Sequence, residues 1–257
     1  MNSTLKKTMF LFLFSAGAVS AHAQQQSYKW MVGINGGAFI YQGDLAPSAF
    51  GSYKTATPVF GFSVAKIINP SFAIRANAAF GNLKGDDSKY NTPWWRQYRR
   101  FNFSTPVKEF SAQVIWNPYN NNSNETGQRI SPYVFVGAGV SFLNIVRDYS
   151  KIDTTVFPWG AKHQAGMQRD TTAVPPRSAI ILPMGAGLSY FLSDRWSLNY
   201  ELNFRYMFTD YLDGFSYVAN PNLKDFYHSH TLGLVYRFGG GEGSNGKSDD
   251  QLGCPKF

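Results

Sequence analysis

Cysteine occurs once, at Cys254, so no disulfide can form within the chain; in an oxidising compartment that thiol has to be buried, reactive or joined to another chain. Beyond the first residues no stretch offers about 18 continuous apolar positions, which excludes a membrane protein built of helices. No Pro/Ser-rich linker interrupts the chain, and the strand-like runs continue to Phe238, so the reading is one domain with a tail. Glycine loops able to cradle a phosphate are missing, as are Cys/His clusters, and no cofactor is expected. A slightly negative mean hydropathy excludes little, because lumen and loop residues of a barrel dilute those that face lipid.

What is present begins with a leader. Lys6 and Lys7 precede the apolar run Met9 to Phe14, and Ala21-His22-Ala23 supplies a small-residue cleavage site. This is a secretory signal peptide over residues 1–23, leaving a chain that starts at Gln24. No cysteine lies near the cleavage site to accept a lipid. Losing Lys6 and Lys7 lowers the formal charge of +8 by two. The basic, aromatic segment Trp94-Trp95-Arg96-Gln97-Tyr98-Arg99-Arg100 could be mistaken for a nucleic-acid site, but an exported protein meets little nucleic acid. Anionic lipid headgroups or a protein partner are the expected targets.

Trp196 to Phe208 sets the architecture. Trp196, Leu198, Tyr200, Leu202, Phe204, Tyr206 and Phe208 alternate with Ser197, Asn199, Glu201, Asn203, Arg205 and Met207, a period of two that only a strand sorts onto two faces. The run exceeds the usual soluble strand and fits the roughly 9–11 residues that a tilted strand needs to cross a bilayer. Comparable alternation predicts strands over Lys29–Tyr41, Val59–Ile68, Phe72–Asn82, Val107–Trp116, Tyr133–Asn144, Ser178–Phe191 and Phe226–Phe238. Ile40 is expected in the outward row of the first. Eight strands, with long and short connections in turn, predict an all-β, eight-stranded antiparallel transmembrane barrel over residues 24–239. Its short turns and both termini are expected in the periplasm, and residues 240–257 form a flexible periplasmic tail. The Asn-rich connection Asn117 to Ser131 is longer than such a turn should be, and Pro183, unable to donate to a ladder, predicts a bulge.

A barrel of this size holds side chains rather than a channel. The inward set includes Arg75, Glu109, Glu201, Arg205 and Arg237, which are expected to neutralise one another in a plug because unpaired burial is prohibitive. Thr231, Gly233, Tyr236 and Phe238 resemble the terminal signal read by the barrel-assembly machinery. His228-Ser229-His230 with Glu201 nearby invites a hydrolase or metal reading, yet neighbours in a strand point to opposite faces. They read instead as polar residues near the external rim, and no enzyme is expected.

Tyr41-Gln-Gly-Asp-Leu45, Leu192-Ser-Asp-Arg-Trp-Ser-Leu198, Phe208-Thr-Asp-Tyr-Leu-Asp213 and the closing Cys254-Pro255 together resemble the PorG family of Bacteroidetes outer-membrane barrels. That resemblance implies a component of the type IX protein secretion system, associated with a periplasmic ring of subunits resembling PorK and PorN. A stand-alone barrel acting through its external loops, as an adhesin or membrane stabiliser, is the alternative. The Gly-rich start of the tail gives a reach of roughly 25 Å, and Leu252, Cys254, Pro255 and Phe257 at its tip are the expected partner contacts, Cys254 through an intermolecular disulfide.

Overall fold

The computed structural model describes residues 28–48, 50–156, 160–209, 211–218 and 225–239. Eight long strands, β1 (Trp30–Gln42), β2 (Thr57–Ile67), β3 (Phe72–Asp86), β4 (Asn102–Trp116), β5 (Ile130–Leu143), β7 (Ser178–Phe191), β8 (Trp196–Met207) and β9 (Phe226–Phe238), form one antiparallel sheet. Pairing of β1 with both β2 and β9, and of β3 with β4, closes it into a barrel. A short strand, β6 (Val146–Asp148), adds to the end of β4 beyond the barrel wall. Two helices lie in the connections, α1 (Arg96–Arg99) and α2 (Ala161–Thr172).

Alternation decides the two faces. Along β8, Ser197, Asn203, Arg205 and Met207 are buried while Trp196, Leu198, Tyr200 and Tyr206 are exposed. The outward row is apolar over the middle of the barrel strands, with Ile34 58%, Phe60 64%, Val136 56% and Leu232 59% exposed. In water such a belt would be uncovered hydrophobic surface far beyond the patches tolerated by soluble proteins. Aromatic rows bound it: Trp30, Phe72, Trp116 and Trp196 toward the short turns, Phe60, Phe80 and Phe142 toward the long loops.

The observed strands β7 and β9 match the sequence reading, whereas β3 and β4 run further and pair from Asp86–Asn102 down to Phe72–Trp116. Their extension escapes a search for lipid-facing alternation because it rises clear of the belt and buries Leu83 and Phe103 under loops. Ile40 corrects the outward row, since it is wholly buried. The backbone of Gly51, at φ +75, lies against its side chain, and any Cβ there would strike it. Pro183 brings no bulge: pairing with β5 stops at Val136–Met184 and resumes at Gly139–Ile181 with the same register. The missing N–H interrupts the ladder without adding a residue.

The long Asn117 to Ser131 connection is a plug. Asn121, Asn122 and Ser123 are buried in the short-turn mouth, held by Asn122 N donating to Pro70 O and by Asn117 Nδ2 donating to Ser131 Oγ. An ordinary turn would leave that mouth open.

Candidate functional site

Inside the wall, charges sit in two layers. Arg75 pairs with Glu201 and donates from Nε to Gln113 Oε1 at 2.8 Å, while Tyr133 Oη donates to Glu201 Oε1 at 2.6 Å. One layer nearer the long loops, Arg205 Nε meets Glu109 Oε2 at 3.0 Å, and Tyr227 Oη donates to the same oxygen at 3.2 Å. Arg237 stands apart from these pairs, contrary to a single network: its Nε donates to Asn122 O at 3.0 Å and its Nη1 to Ser197 Oγ at 3.1 Å, over the Phe191 ring. No carboxylate is needed there, because the plug carbonyl takes the donor. Between plug and charges a void of about 30 Å³ remains, lined by Arg75, Asn122, Tyr133 and Asn199 among others, polar and roomy enough to hold water.

The long-loop mouth is closed by a cap. Tyr41, the inward residue near the end of β1, places its hydroxyl 2.7 Å from Asp213 Oδ2 and 2.9 Å from Asp225 Oδ1. Leu212 N donates to Asp225 Oδ2 and Phe215 N to Asp213 Oδ1, so the two carboxyls fold the loop between β8 and β9 onto the barrel. Burial above all raises the Asp213 pKa to about 8. A second node joins the loop after β1 to that after β3: Asp87 takes Arg96 Nη1 at 2.7 Å and Arg99 Nη2 at 3.0 Å, and Arg96 also donates to the carbonyls of Asp44, Leu45 and Ala46. Asp170 of α2 makes the third, accepting from the amides of Ser216, Tyr217 and Val218. Phe101 stacks on Phe215 at 4.5 Å between the nodes.

These groups were only partly visible beforehand. Tyr41 and Asp213 stand in the two sequence motifs, Tyr41-Gln-Gly-Asp-Leu45 and Phe208 to Asp213, and the cap brings the motifs into hydrogen-bond contact. Asp87, Asp170 and Asp225 gave no signal beyond an acid amid loop residues. Arg96 and Arg99, expected to meet a partner or lipid, are 6% and 5% exposed and are spent internally, because each answers buried Asp87. His228 and His230 point outward and Ser229 inward, where Arg205 Nη1 donates to its hydroxyl. His230 lies between the hydroxyls of Tyr53 and Tyr200, at 3.0 and 2.6 Å. Ser229 therefore has no histidine base, and among the described residues no group of three or more metal-ligating side chains occurs. Thr231, Gly233, Tyr236 and Phe238 lie on β9 in register with Gly37, Asn35, Val32 and Trp30 of β1. Leu252, Cys254, Pro255 and Phe257 lie outside the described residues.

Solved structures of small barrels are similar in outline. The chain is 13% identical to Ail, the attachment invasion locus protein of Yersinia pestis, solved with the heparin analogue sucrose octasulfate, with a TM-score of 0.44 over 82% of this chain and 99% of that one. For Neisserial surface protein A the values are 15%, 0.44, 81% and 97%. For OprG of Pseudomonas aeruginosa they are 11%, 0.43, 84% and 99%. No curated protein matches. A family model described as "Domain of unknown function (DUF6089)" matches residues 6–240.

Proposed function

We propose that this chain, which belongs to the DUF6089 family, is a non-enzymatic barrel of the outer membrane that serves as a fixed anchor for a periplasmic assembly. The observation that carries this reading is closure at both ends. Among the described residues, cap and plug lie across the two mouths, and the inward polar groups bind one another instead of converging on a reacting centre. Lipid covers the apolar belt, the short-turn mouth and both termini face the periplasm, and the long loops face outward, as in barrels whose periplasmic turns are short.

The finer assignment, a component of the type IX secretion system holding ring subunits resembling PorK and PorN, rests on the resemblance to the PorG family. Contact between the two motif segments supports it, since residues shared with that family then stabilise one structural feature. The tail tip with Cys254 is proposed as the ring contact. Crosslinking in native membranes followed by mass spectrometry tests this: adducts between residues 117–130 or the tail and periplasmic ring subunits are expected, with loss of protein secretion when the gene is deleted. Unchanged secretion and no ring adducts would overturn it.

A stand-alone barrel acting through its loops is the second reading, favoured by Phe50 and Trp94, which are 78% and 58% exposed at the capped end. It expects intact secretion and weaker surface attachment in the deletion strain.

A further inference from the structure

We infer that the wall formed by β2 to β5 carries a binding site for a phosphorylated, multiply acylated glycolipid of the outer leaflet, of the lipid A class; the inference rests on the membrane orientation proposed above. A groove of about 460 Å³ runs along the outside of these strands. Its floor is Ala76, Ala78, Ala112 and Ala138, and Phe62 and Phe110 stand at its sides. Three of the alanines are brought level by register, Ala76 opposite Ala112 and Ala112 opposite Ala138, and with Ala78 their short side chains hollow the surface between the two phenylalanines. The outward side chains of its floor and sides are apolar and lie within the belt, which suits an acyl chain.

The headgroup end is set by charge. Among the described barrel strands, outward positions hold lysine at 66, 84 and 108. Lys66 sits at the short-turn end over the Trp30 ring, whereas Lys84 and Lys108 lie on β3 and β4 toward the long loops, above the groove. Lys108 interrupts the aromatic row, with Phe80 and Phe142 as its direct partners across the strands. A cation in that row has to raise its amine to the headgroup level. Lys84 is two same-face positions further out, opposite Ser104, whose hydroxyl is hydrogen-bonded to Asn82. Ala112 follows Lys108 by four positions, about 13 Å along a strand, so a phosphate on the lysines directs an attached acyl chain down the alanine floor. Charge and groove together select a lipid that is both anionic at the head and acylated; a neutral lipid satisfies only the groove.

The full-length protein, extracted from outer membranes and washed in detergent, is analysed by native mass spectrometry for retained lipid. Wild type is expected to keep lipid A. Lys84→Gln and Lys108→Gln should each lower retention roughly fivefold, and Ala112→Phe, which fills the floor, should lower it with both lysines in place. Re-lipidation with lipid A, dephosphorylated lipid A and phosphatidylglycerol separates the sources, only the first being retained. Equal retention by the lysine variants, equal retention of phosphatidylglycerol, or a dimer mass in place of lipid would overturn the site. Heat-modifiable gel shift and outer-membrane fractionation of the same samples report insertion, so a protein that fails to reach the membrane is told apart from one that reaches it without glycolipid.

Discussion

Tyr41 has one hydroxyl proton and two carboxyl neighbours within hydrogen-bond distance. It can donate to one of them only, so the other contact needs a proton supplied by a carboxylic acid, in keeping with the raised pKa of Asp213. Asp44 adds to the raising and Arg99 opposes it. Because the folded cap holds this proton more tightly than the unfolded chain, the stability from this group is complete below the ordinary carboxylate range and is lost as pH rises toward about 8. Limited proteolysis of the purified barrel at about pH 5.5 and about pH 8.5 should cut the capped end faster at the higher value. Asp213→Asn, neutral throughout, should flatten the difference, and a wild type cut equally at both values would remove the shared proton from the account. The charge layers make a second case. Glu201→Gln leaves Arg75 inside the wall without its anion and should cost about 3–5 kcal/mol in urea unfolding, whereas Arg75→Met with Glu201→Leu should cost clearly less. If the double variant is the worse of the two, the pair is stabilising in itself rather than expensive to break.

Among the elements, β9 ties together plug, charge layer and barrel seam. Its inward Arg237 holds the plug, its inward Tyr227 holds Glu109, and its outward Tyr236 packs on Trp196 of β8 at 4.7 Å. It also closes the barrel against β1, so docking of the last strand and closure are one event. Phe238→Ala with Tyr236→Ala removes the two aromatic residues of the proposed assembly signal and leaves the inward contacts alone. Less barrel in the outer membrane and more precursor in the periplasm are expected on fractionation. Insertion at the normal level would reduce the motif to ordinary strand alternation. The plug explains why the second turn on that side is long: a mouth ringed by Arg237, Ser131 and Ser197 needs polar partners, and a segment rich in asparagine supplies carbonyls and amides without charge.

For the whole molecule, closure is redundant. Cap, two charge layers and plug lie in series along the barrel axis, so removing one leaves the others across the path. Planar-bilayer recordings of the purified protein should show no steps, and neither should a variant in which residues 118–128 are replaced by a two-residue turn. Conductance steps in the shortened variant, with silence in wild type, would mean that the plug alone seals the lumen. The same redundancy suits an anchor, which has to resist deformation, better than a transporter, which needs an alternative open state.

The sequence by itself determined the barrel. A period of two repeated over eight runs puts apolar side chains outside and polar ones inside, and lipid enforces that sorting because unsatisfied strand edges and outward charges are costly in hydrocarbon. It also named Arg75, Glu109, Glu201 and Arg205 as inward charges, since parity along a strand fixes the face. Tertiary structure alone decided which charge meets which, for pairing depends on strand register and on layers from opposite walls: Glu201 of β8 reaches Arg75 of β3 across the lumen. It decided the cap and the plug as well. Loops have no periodicity to read, and Tyr41, Asp213 and Asp225 come together only after β1, β8 and β9 have closed the wall and brought distant chain segments to one mouth.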